Sequence, residues 1–156
     1  REVDCQAVYE TAIKNLEIRI AETNAKITSE SLPVLMADEG QLVHLFQNLI
    51  GNAIKFCKDR KPEIQVTGKK DGAYWLFSIR DNGIGIAPEN KERIFQIFQK
   101  LHVKEEYEGT GVGLAVCQKI VEQHNGKIWV ESEVGKGTTF RFTIPIKTEN
   151  GKQASV

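Results

Sequence analysis

Apolar side chains recur at every third or fourth position in three stretches of the chain, and this spacing predicts three helices. The first is expected over residues 5–23, and the second follows Asp38, whose carboxylate suits a helix N-cap, and extends to Phe56. The third is expected over about residues 112–124, where Asn125-Gly126 predicts a left-handed cap. Each helix has one apolar face, so all three are expected to pack on a common layer.

Alternation of apolar and polar residues elsewhere in the chain predicts strands. Residues 63–69 and 73–80 flank the turn-like Lys70-Asp71-Gly72, which favours an antiparallel hairpin. Further strands are expected at residues 1–4, 26–29, 127–134 and 138–146, and residues 34–37 form another short apolar run. The predicted fold class is therefore α+β, a two-layer sandwich in which a mixed, mostly antiparallel sheet is covered on one face by three helices.

Composition indicates a single domain and names no partner. The chain has 156 residues, 40% of them hydrophobic, and we expect a domain over residues 1–147 with a polar tail over 148–156. Lysine plus arginine and aspartate plus glutamate both number 21, so charge favours neither nucleic acid nor an anionic membrane. No apolar run approaches the roughly 20 residues that cross a bilayer, so no direct membrane contact is expected, and the expected location is cytoplasmic.

The three cysteines indicate the redox compartment, and the first residues indicate whether the chain is part of a longer protein. Cys5, Cys57 and Cys117 lack the spacing of a metal site, so buried thiols in a reducing compartment are expected. The chain begins Arg-Glu-Val, and its one methionine is Met36. We therefore expect it to be part of a longer protein.

Three polar residues lie within the predicted second helix, in the segment QNLIGNAIKF, residues 47–56. Because a helix turns by about 100° per residue, Asn48, Asn52 and Lys55 project in nearly one direction beside the apolar stripe. One interpretation is that the amides bond neighbouring backbone groups and the lysine reaches water. The other is a cleft wall, in which amide oxygens bind a hard cation such as Mg²⁺ and the ammonium neutralises phosphate.

Asp81 opens the glycine-rich stretch DNGIGI, residues 81–86. Alternation places its carboxylate on the apolar face of the preceding strand, at the mouth of the core. An ionised carboxylate only accepts hydrogen bonds, so an amino group such as that of adenine is a suitable partner, whereas a turn-capping aspartate is the alternative. Gly83 and Gly85 would let the backbone approach a flat ligand closely, although turns also use glycine.

A second glycine-rich stretch, GTGVGLAV at residues 109–116, leads into the third helix. Free amide groups at a helix start, next to residues without bulk, make an anion site suited to polyphosphate, whereas a flexible hinge is the alternative. The chain has no GxxxxGK[ST] motif, and Gly109, Gly111 and Gly113 do not give GxGxxG spacing. A P-loop and a Rossmann site are therefore unsupported.

The order and separation of QNLIGNAIKF, DNGIGI, IFQIF and GTGVGL resemble the four nucleotide-binding boxes of one family. That family is the histidine kinase catalytic and ATP-binding domain, a member of the GHKL ATPase superfamily. The resemblance covers almost the whole chain. The segments FQKLH and EEYEGTGVGLAVCQKIVEQHNGKIWVESEVGKGTTFRFTIP look especially like kinases of the phytochrome-related group.

The resemblance implies a Bergerat-type sandwich that binds ATP and Mg²⁺. Asp81 would contact the adenine amino group, Asn48 and Asn52 would hold Mg²⁺ and phosphate, and residues 95–110 would form a lid over ATP. Lys100 stands where relatives often carry arginine, which keeps the charge but loses a bidentate grip on phosphate. Thr138 or Thr139 would add a hydroxyl. The implied nucleotide-binding residues are Asn48, Asn52, Lys55, Phe56, Asp81, Gly83, Gly85, Ile86, Phe95, Phe98, Lys100, Gly109, Thr110, Gly111, Val112, Gly113, Leu114 and Thr139.

The residue at position 48 bears on the reaction. ATP-hydrolysing members of the superfamily carry a glutamate one turn before the magnesium asparagine, and here that position is Asn48, which cannot serve as a general base. The resemblance therefore implies transfer of the γ-phosphoryl group to a histidine on separate dimerisation helices, with a response regulator downstream. His44, His102 and His124 lie in no phospho-acceptor motif, so the chain alone is expected to bind Mg-ATP without autophosphorylating. The alternative is a degenerate nucleotide-binding switch module without phosphotransfer.

Overall fold

The computed structural model describes residues 1–30, 32–55, 57, 60–83, 110–133 and 136–146. These ranges contain four helices and seven strands, so the α+β class is confirmed. In chain order the elements are β1 (Glu2–Asp4), α1 (Cys5–Asn15), α2 (Glu17–Thr23), β2 (Lys26–Ser29), β3 (Val34–Met36), α3 (Glu39–Lys55), β4 (Glu63–Asp71), β5 (Tyr74–Asp81), α4 (Thr110–Gln123), β6 (Ile128–Glu133) and β7 (Gly137–Pro145).

Five strands form one mixed sheet in the order β2-β4-β5-β7-β6. β2 pairs in parallel with β4, whereas the other three neighbouring pairs are antiparallel, as predicted. β1 and β3 form a separate two-stranded sheet, in which the buried Val3 lies opposite the buried Leu35. This small sheet was not predicted, because two strands of three residues carry too few positions to indicate a pairing partner.

The main core lies between the helices and one face of the five-stranded sheet. Phe46 of α3 makes edge-on contacts with Phe77 of β5 and Phe142 of β7, at ring-centroid distances of 5.8 and 6.0 Å. Phe77 and Phe142 stack on each other at 4.8 Å. This cluster fixes α3 over the two central strands, and aromatic pairs of this kind add about 0.5–1.5 kcal/mol each beyond their area burial.

The predicted first helix is two helices, and this prediction of one continuous helix was wrong. α1 ends at Asn15, the ψ of 9° at its cap residue Leu16 leaves the helical range, and α2 begins at Glu17. The Asn15 side-chain amide donates to Gln47 of α3 at 3.0 Å, while Leu16 is buried in the core. These contacts join residues far apart in the chain, so the apolar period, which continues through Leu16, could not reveal the break.

The C-terminus of α4 confirms the predicted left-handed cap. Asn125 has φ +64°, a conformation that asparagine tolerates better than most residues. The Gly126 N–H donates to the Val121 carbonyl at 2.9 Å, which closes the helix as in a Schellman motif. The chain then turns directly into β6.

Gly137 and Gly72 both have positive φ. Replacing each with alanine distinguishes backbone strain, which both positions would have, from a steric clash of the new Cβ, which only Gly137 would have. Gly72→Ala is expected to lower the free energy of unfolding by about 1–2 kcal/mol, because φ is +63° but nothing lies within 4 Å of the new Cβ. Gly137→Ala is expected to cost roughly 2–3 kcal/mol more, because its Cβ would lie 2.1 Å from the Asp81 carbonyl oxygen. Urea denaturation followed by circular dichroism measures both, and equal losses would contradict the expected crowding.

Candidate functional site

The polar residues of α3 lie together on one wall of a cavity of about 450 Å³. Asn48, Asn52 and Lys55 all face this cavity, as the helical spacing predicted. The opposite wall comes from the end of α1 and from α2. The remaining lining residues are Asn15, Leu16, Ile18, Arg19, Glu22, Gln47 and Gly51.

The two asparagines differ in their hydrogen bonds. The Asn48 side chain is half-buried, and its amide donates to the His44 carbonyl at 2.8 Å, as in the ordinary interpretation of a polar helix residue. Asn52 is 5% exposed, and its Nδ2 has no hydrogen-bond partner among the described residues. A buried donor without a partner costs about 1–3 kcal/mol, so the Asn52 Nδ2 favours a ligand that brings a hydrogen-bond acceptor.

Asp81 ends β5 on the apolar face, where alternation predicted it, and is 4% exposed. Its Oδ1 accepts hydrogen bonds from the backbone N–H groups of Gly83 at 2.8 Å and Thr138 at 3.1 Å. Its Oδ2 is buried without a partner in the described part of the chain. Burial raises the pKa of Asp81 to about 6, although the two backbone hydrogen bonds act in the opposite direction. One oxygen is therefore fixed and the other is left for a donor.

Of the two threonines considered, Thr138 rather than Thr139 lies beside Asp81. Thr138 is 3% exposed, its backbone N–H bonds Asp81, and its hydroxyl lies 3.0 Å from that of Ser132. Thr139 pairs with Arg80 across the β5–β7 ladder and is half-buried. Because side chains alternate along a strand, Thr139 lies on the opposite face of the sheet from Asp81.

Asn82 has a role that the sequence did not indicate. Its Oδ1 accepts from the Glu63 N–H at 2.9 Å and from the Cys57 thiol at 3.3 Å, and its Nδ2 donates to the Lys61 carbonyl at 3.1 Å. These bonds join the end of β5 to the segment that leads into β4. Because Asn82 follows Asp81 directly, they also fix the backbone that carries the carboxylate.

The structure places some predicted site residues and leaves others outside its described ranges. Thr110, Gly111, Val112 and Gly113 lie in the first turn of α4, and Leu114 is fully buried. Asp81 does not line the cavity that contains Asn52. The predicted residues outside the described ranges are Phe56, Gly85, Ile86, Phe95, Phe98, Lys100 and Gly109.

The donor set at α3 suits a metal that arrives with its ligand. Among the described residues, no group of three or more His, Cys, Asp or Glu side chains could hold a metal ion. Mg²⁺ is usually bound by one or two carboxylates together with substrate phosphates and water. Asn48 and Asn52 offer neutral amide oxygens, so the phosphates of a ligand would have to supply the negative charge. These residues therefore fit Mg²⁺ as part of a nucleotide complex and not as a separate protein-held ion.

His124 has a structural role. Its Nε2 accepts from the Asp38 N–H at 3.1 Å, so its Nδ1 carries the proton and donates to the Ile120 carbonyl at 2.8 Å. Through these two bonds the ring joins the end of α4 to the start of α3. His44 is exposed on α3, and His102 lies outside the described residues.

The three cysteines, Cys5, Cys57 and Cys117, are buried, as expected. Burial raises the pKa of Cys117 to about 12. In the described ranges, no helix combines the length and the apolar character needed to cross a membrane.

A model of the histidine kinase-, DNA gyrase B-, and HSP90-like ATPase family matches residues 37–148. The chain therefore belongs to this family, and its fold is that of a histidine kinase catalytic domain. Cyanobacterial phytochrome A of Nostoc sp. (strain PCC 7120) is 54% identical over 143 residues, 92% of this chain and 19% of that protein. This chain thus spans about a fifth of the length of the first curated relatives it matches.

Solved structures confirm the architecture. The catalytic domain of the histidine kinase ThkA, in a nucleotide-free form, gives a TM-score of 0.76 at 29% identity over 93% of this chain and 94% of that chain. Full-length ShkA, in complex with AMPPNP, gives 0.78 at 29% identity over 100% of this chain and 32% of that chain.

Asp81 should make stability depend on pH in a defined direction. Its folded pKa of about 6 lies above the ordinary value of 3.8, so the folded protein takes up a proton as pH falls through 6. As the pH falls from 7 to 4, the free energy of unfolding of the wild type should therefore rise relative to that of Asp81→Asn, by up to about 3 kcal/mol. Urea titrations at several pH values measure this difference, and a flat difference curve would contradict it.

Loss of the Asn82 side chain should loosen the end of β5. Asn82→Ala leaves the Glu63 N–H and the Lys61 carbonyl without this partner, so the free energy of unfolding should fall by about 1–3 kcal/mol. Asn82→Asp keeps the acceptor for Glu63 and should retain part of that stability. Chemical denaturation compares the variants, and an unchanged Asn82→Ala midpoint would show that the bonds add nothing.

Proposed function

We propose that this chain is the Mg-ATP-binding catalytic domain of a two-component sensor histidine kinase, which transfers the γ-phosphoryl group to a histidine on a separate dimerisation domain. The observation that carries the proposal is the Asp81 carboxylate, buried with one oxygen fixed by two backbone amides and the other without a partner among the described residues. Such an oxygen needs a donor, and the exocyclic amino group of adenine supplies one. The family and the AMPPNP complex of ShkA support a nucleotide as the ligand.

The cavity beside α3 would receive the phosphates. Lys55 supplies positive charge, and Asn52 brings a buried amide that lacks a partner in the described structure. Mg²⁺, when bound with the nucleotide, would neutralise phosphate charge, and the amide oxygens of Asn48 and Asn52 would hold it. The N-terminal amides of α4, which begins at Thr110, would add donors for phosphate oxygens.

The proposed site extends to predicted residues outside the described ranges. Phe56 would lie near the base, and Lys100 would approach the phosphates from the lid over residues 95–110. Gly85 and Ile86 would continue the adenine side from Asp81. The other members are Phe95, Phe98 and Gly109.

Phosphoryl transfer fits the residues of α3 better than hydrolysis does. Asn48 occupies the position of the water-activating glutamate, and an amide cannot take a proton from water. The chain would therefore act by holding and orienting the nucleotide for an acceptor from another domain. His124 is bonded on both ring nitrogens within the domain, which argues against it as that acceptor. The proposed partners are the dimerisation helices that carry the acceptor and a response regulator downstream.

Nucleotide binding is the first test of this proposal. The wild type should bind a fluorescent ATP analogue saturably in the presence of Mg²⁺, and ADP should displace it. Asp81→Asn should bind at least about tenfold more weakly, because an amide replaces the acceptor for the adenine amino group. Asn52→Ala should lose affinity mainly when Mg²⁺ is present.

Asp71→Asn is the matched control, since Asp71 is an exposed aspartate at the end of β4. It should bind like the wild type, and circular dichroism should show that every variant folds. Absence of binding by the folded wild type would contradict the proposed site. Phosphohistidine should then appear only when dimerisation helices are added, whereas binding without any transfer would indicate the degenerate switch module.

A further inference from the structure

The side chain of Arg19, in α2, lies against α3 at Gly51, next to the polar residue Asn52. A Cβ placed on Gly51 would lie 3.2 Å from the Arg19 Nη1 and 3.7 Å from the Leu16 Cδ2. The guanidinium therefore rests against the backbone of α3, at a distance that a larger side chain at position 51 would obstruct. Gly51 is buried although Arg19 itself is exposed, so the contact covers the helix surface.

The break between α1 and α2 creates this contact. Leu16 leaves the helical conformation and packs into the core, and the Asn15 side chain holds the end of α1 to Gln47 at 3.0 Å. α2 begins at the next residue, Glu17, and none of its residues is buried. Ile20 of α2 packs against the core only in part, whereas Arg19, which is exposed, lies beside Gly51.

Arg19 faces the same cavity as the three polar residues of α3. It lines the cavity of about 450 Å³ together with Asn48, Asn52 and Lys55. Glu22 is the carboxylate in the same lining, and within the described part of the chain the Arg19 guanidinium forms no ion pair with it. The cavity thus has a second cation whose donors are available to a ligand.

We infer that Arg19 binds the outer phosphates of the nucleotide at this site, and that α2 contributes it to the same cavity as Asn48, Asn52 and Lys55. The inference rests on the proposed function, since it assumes that a nucleotide occupies the cavity. Arginine suits this task because its planar guanidinium can donate two parallel hydrogen bonds to one phosphate, which the Lys55 ammonium cannot. The ordinary alternative is a solvated surface arginine.

The test compares Mg-ATP with AMP, which has adenine but lacks the two outer phosphates. Arg19→Ala should weaken Mg-ATP binding by about three- to tenfold, the range between an exposed ion pair and a charge-assisted hydrogen bond. AMP affinity should stay unchanged. Arg19→Lys should lose less, because it keeps the charge but not the bidentate geometry. Lys14→Ala removes an exposed cation outside the cavity and should bind both nucleotides like the wild type.

Gly51→Ala provides a second approach that does not touch the charge. Alanine suits a helix better than glycine, so the fold should persist, while the new Cβ, 3.2 Å from the Arg19 Nη1, would push the guanidinium slightly out of its place. The variant should lose Mg-ATP affinity in the wild-type background and lose little more when Arg19 is already alanine, because both changes act through one contact. Additive losses would show that the methyl group acts independently of Arg19, which would contradict the expectation that Gly51 leaves room for the guanidinium.

Two failures are distinguishable. If the wild type binds Mg-ATP and Arg19→Ala binds it equally well, Arg19 is a solvated residue and only this inference is overturned. An equal loss for AMP and Mg-ATP in Arg19→Ala would likewise exclude a role specific to the outer phosphates. If the folded wild type binds neither nucleotide, the proposed function fails, and the inference fails with it.

Discussion

The pairing of β5 with β7 holds the Asp81 carboxylate in a buried place, and the candidate site depends on it. A buried carboxylate is unfavourable by several kcal/mol unless donors surround it, and here the Thr138 and Gly83 amides supply two hydrogen bonds to one oxygen. Gly137 makes this geometry possible, because its missing side chain lets β7 approach the Asp81 carbonyl. Burial still dominates, which is why the pKa of Asp81 remains raised to about 6.

Two further sets of contacts support the strand that carries this carboxylate. The stacked rings of Phe77 and Phe142 fix the central strands, and the Asn82 side chain ties the end of β5 to the segment before β4. A binding group supported in this way loses little freedom when a ligand arrives. The Asp81 Oδ2, which has no partner in the described chain, is an unfavourable feature of the fold. The contacts around β5 keep it in place.

Periodicity predicted the parts of this molecule that follow one local rule. The helical period placed Asn48, Asn52 and Lys55 on one side of α3, and the strand period placed Asp81 on the buried face. The break at Leu16 and the Asn82 bonds escaped prediction because each joins residues distant in the chain. The choice between Thr138 and Thr139 was open for another reason, since it depends on where β7 begins, and strand ends are poorly defined by pattern.

Equal numbers of acidic and basic residues conceal a local separation of charge that matters for recognition. Asp81 offers an acceptor in a buried place, whereas the cavity beside α3 offers cations and amides. A nucleotide has the matching asymmetry, with hydrogen-bond donors on its base and negative charge on its phosphates. A partner with uniform charge, such as a nucleic acid backbone, would match only one of these two regions, so the distribution of charge is more informative than its sum.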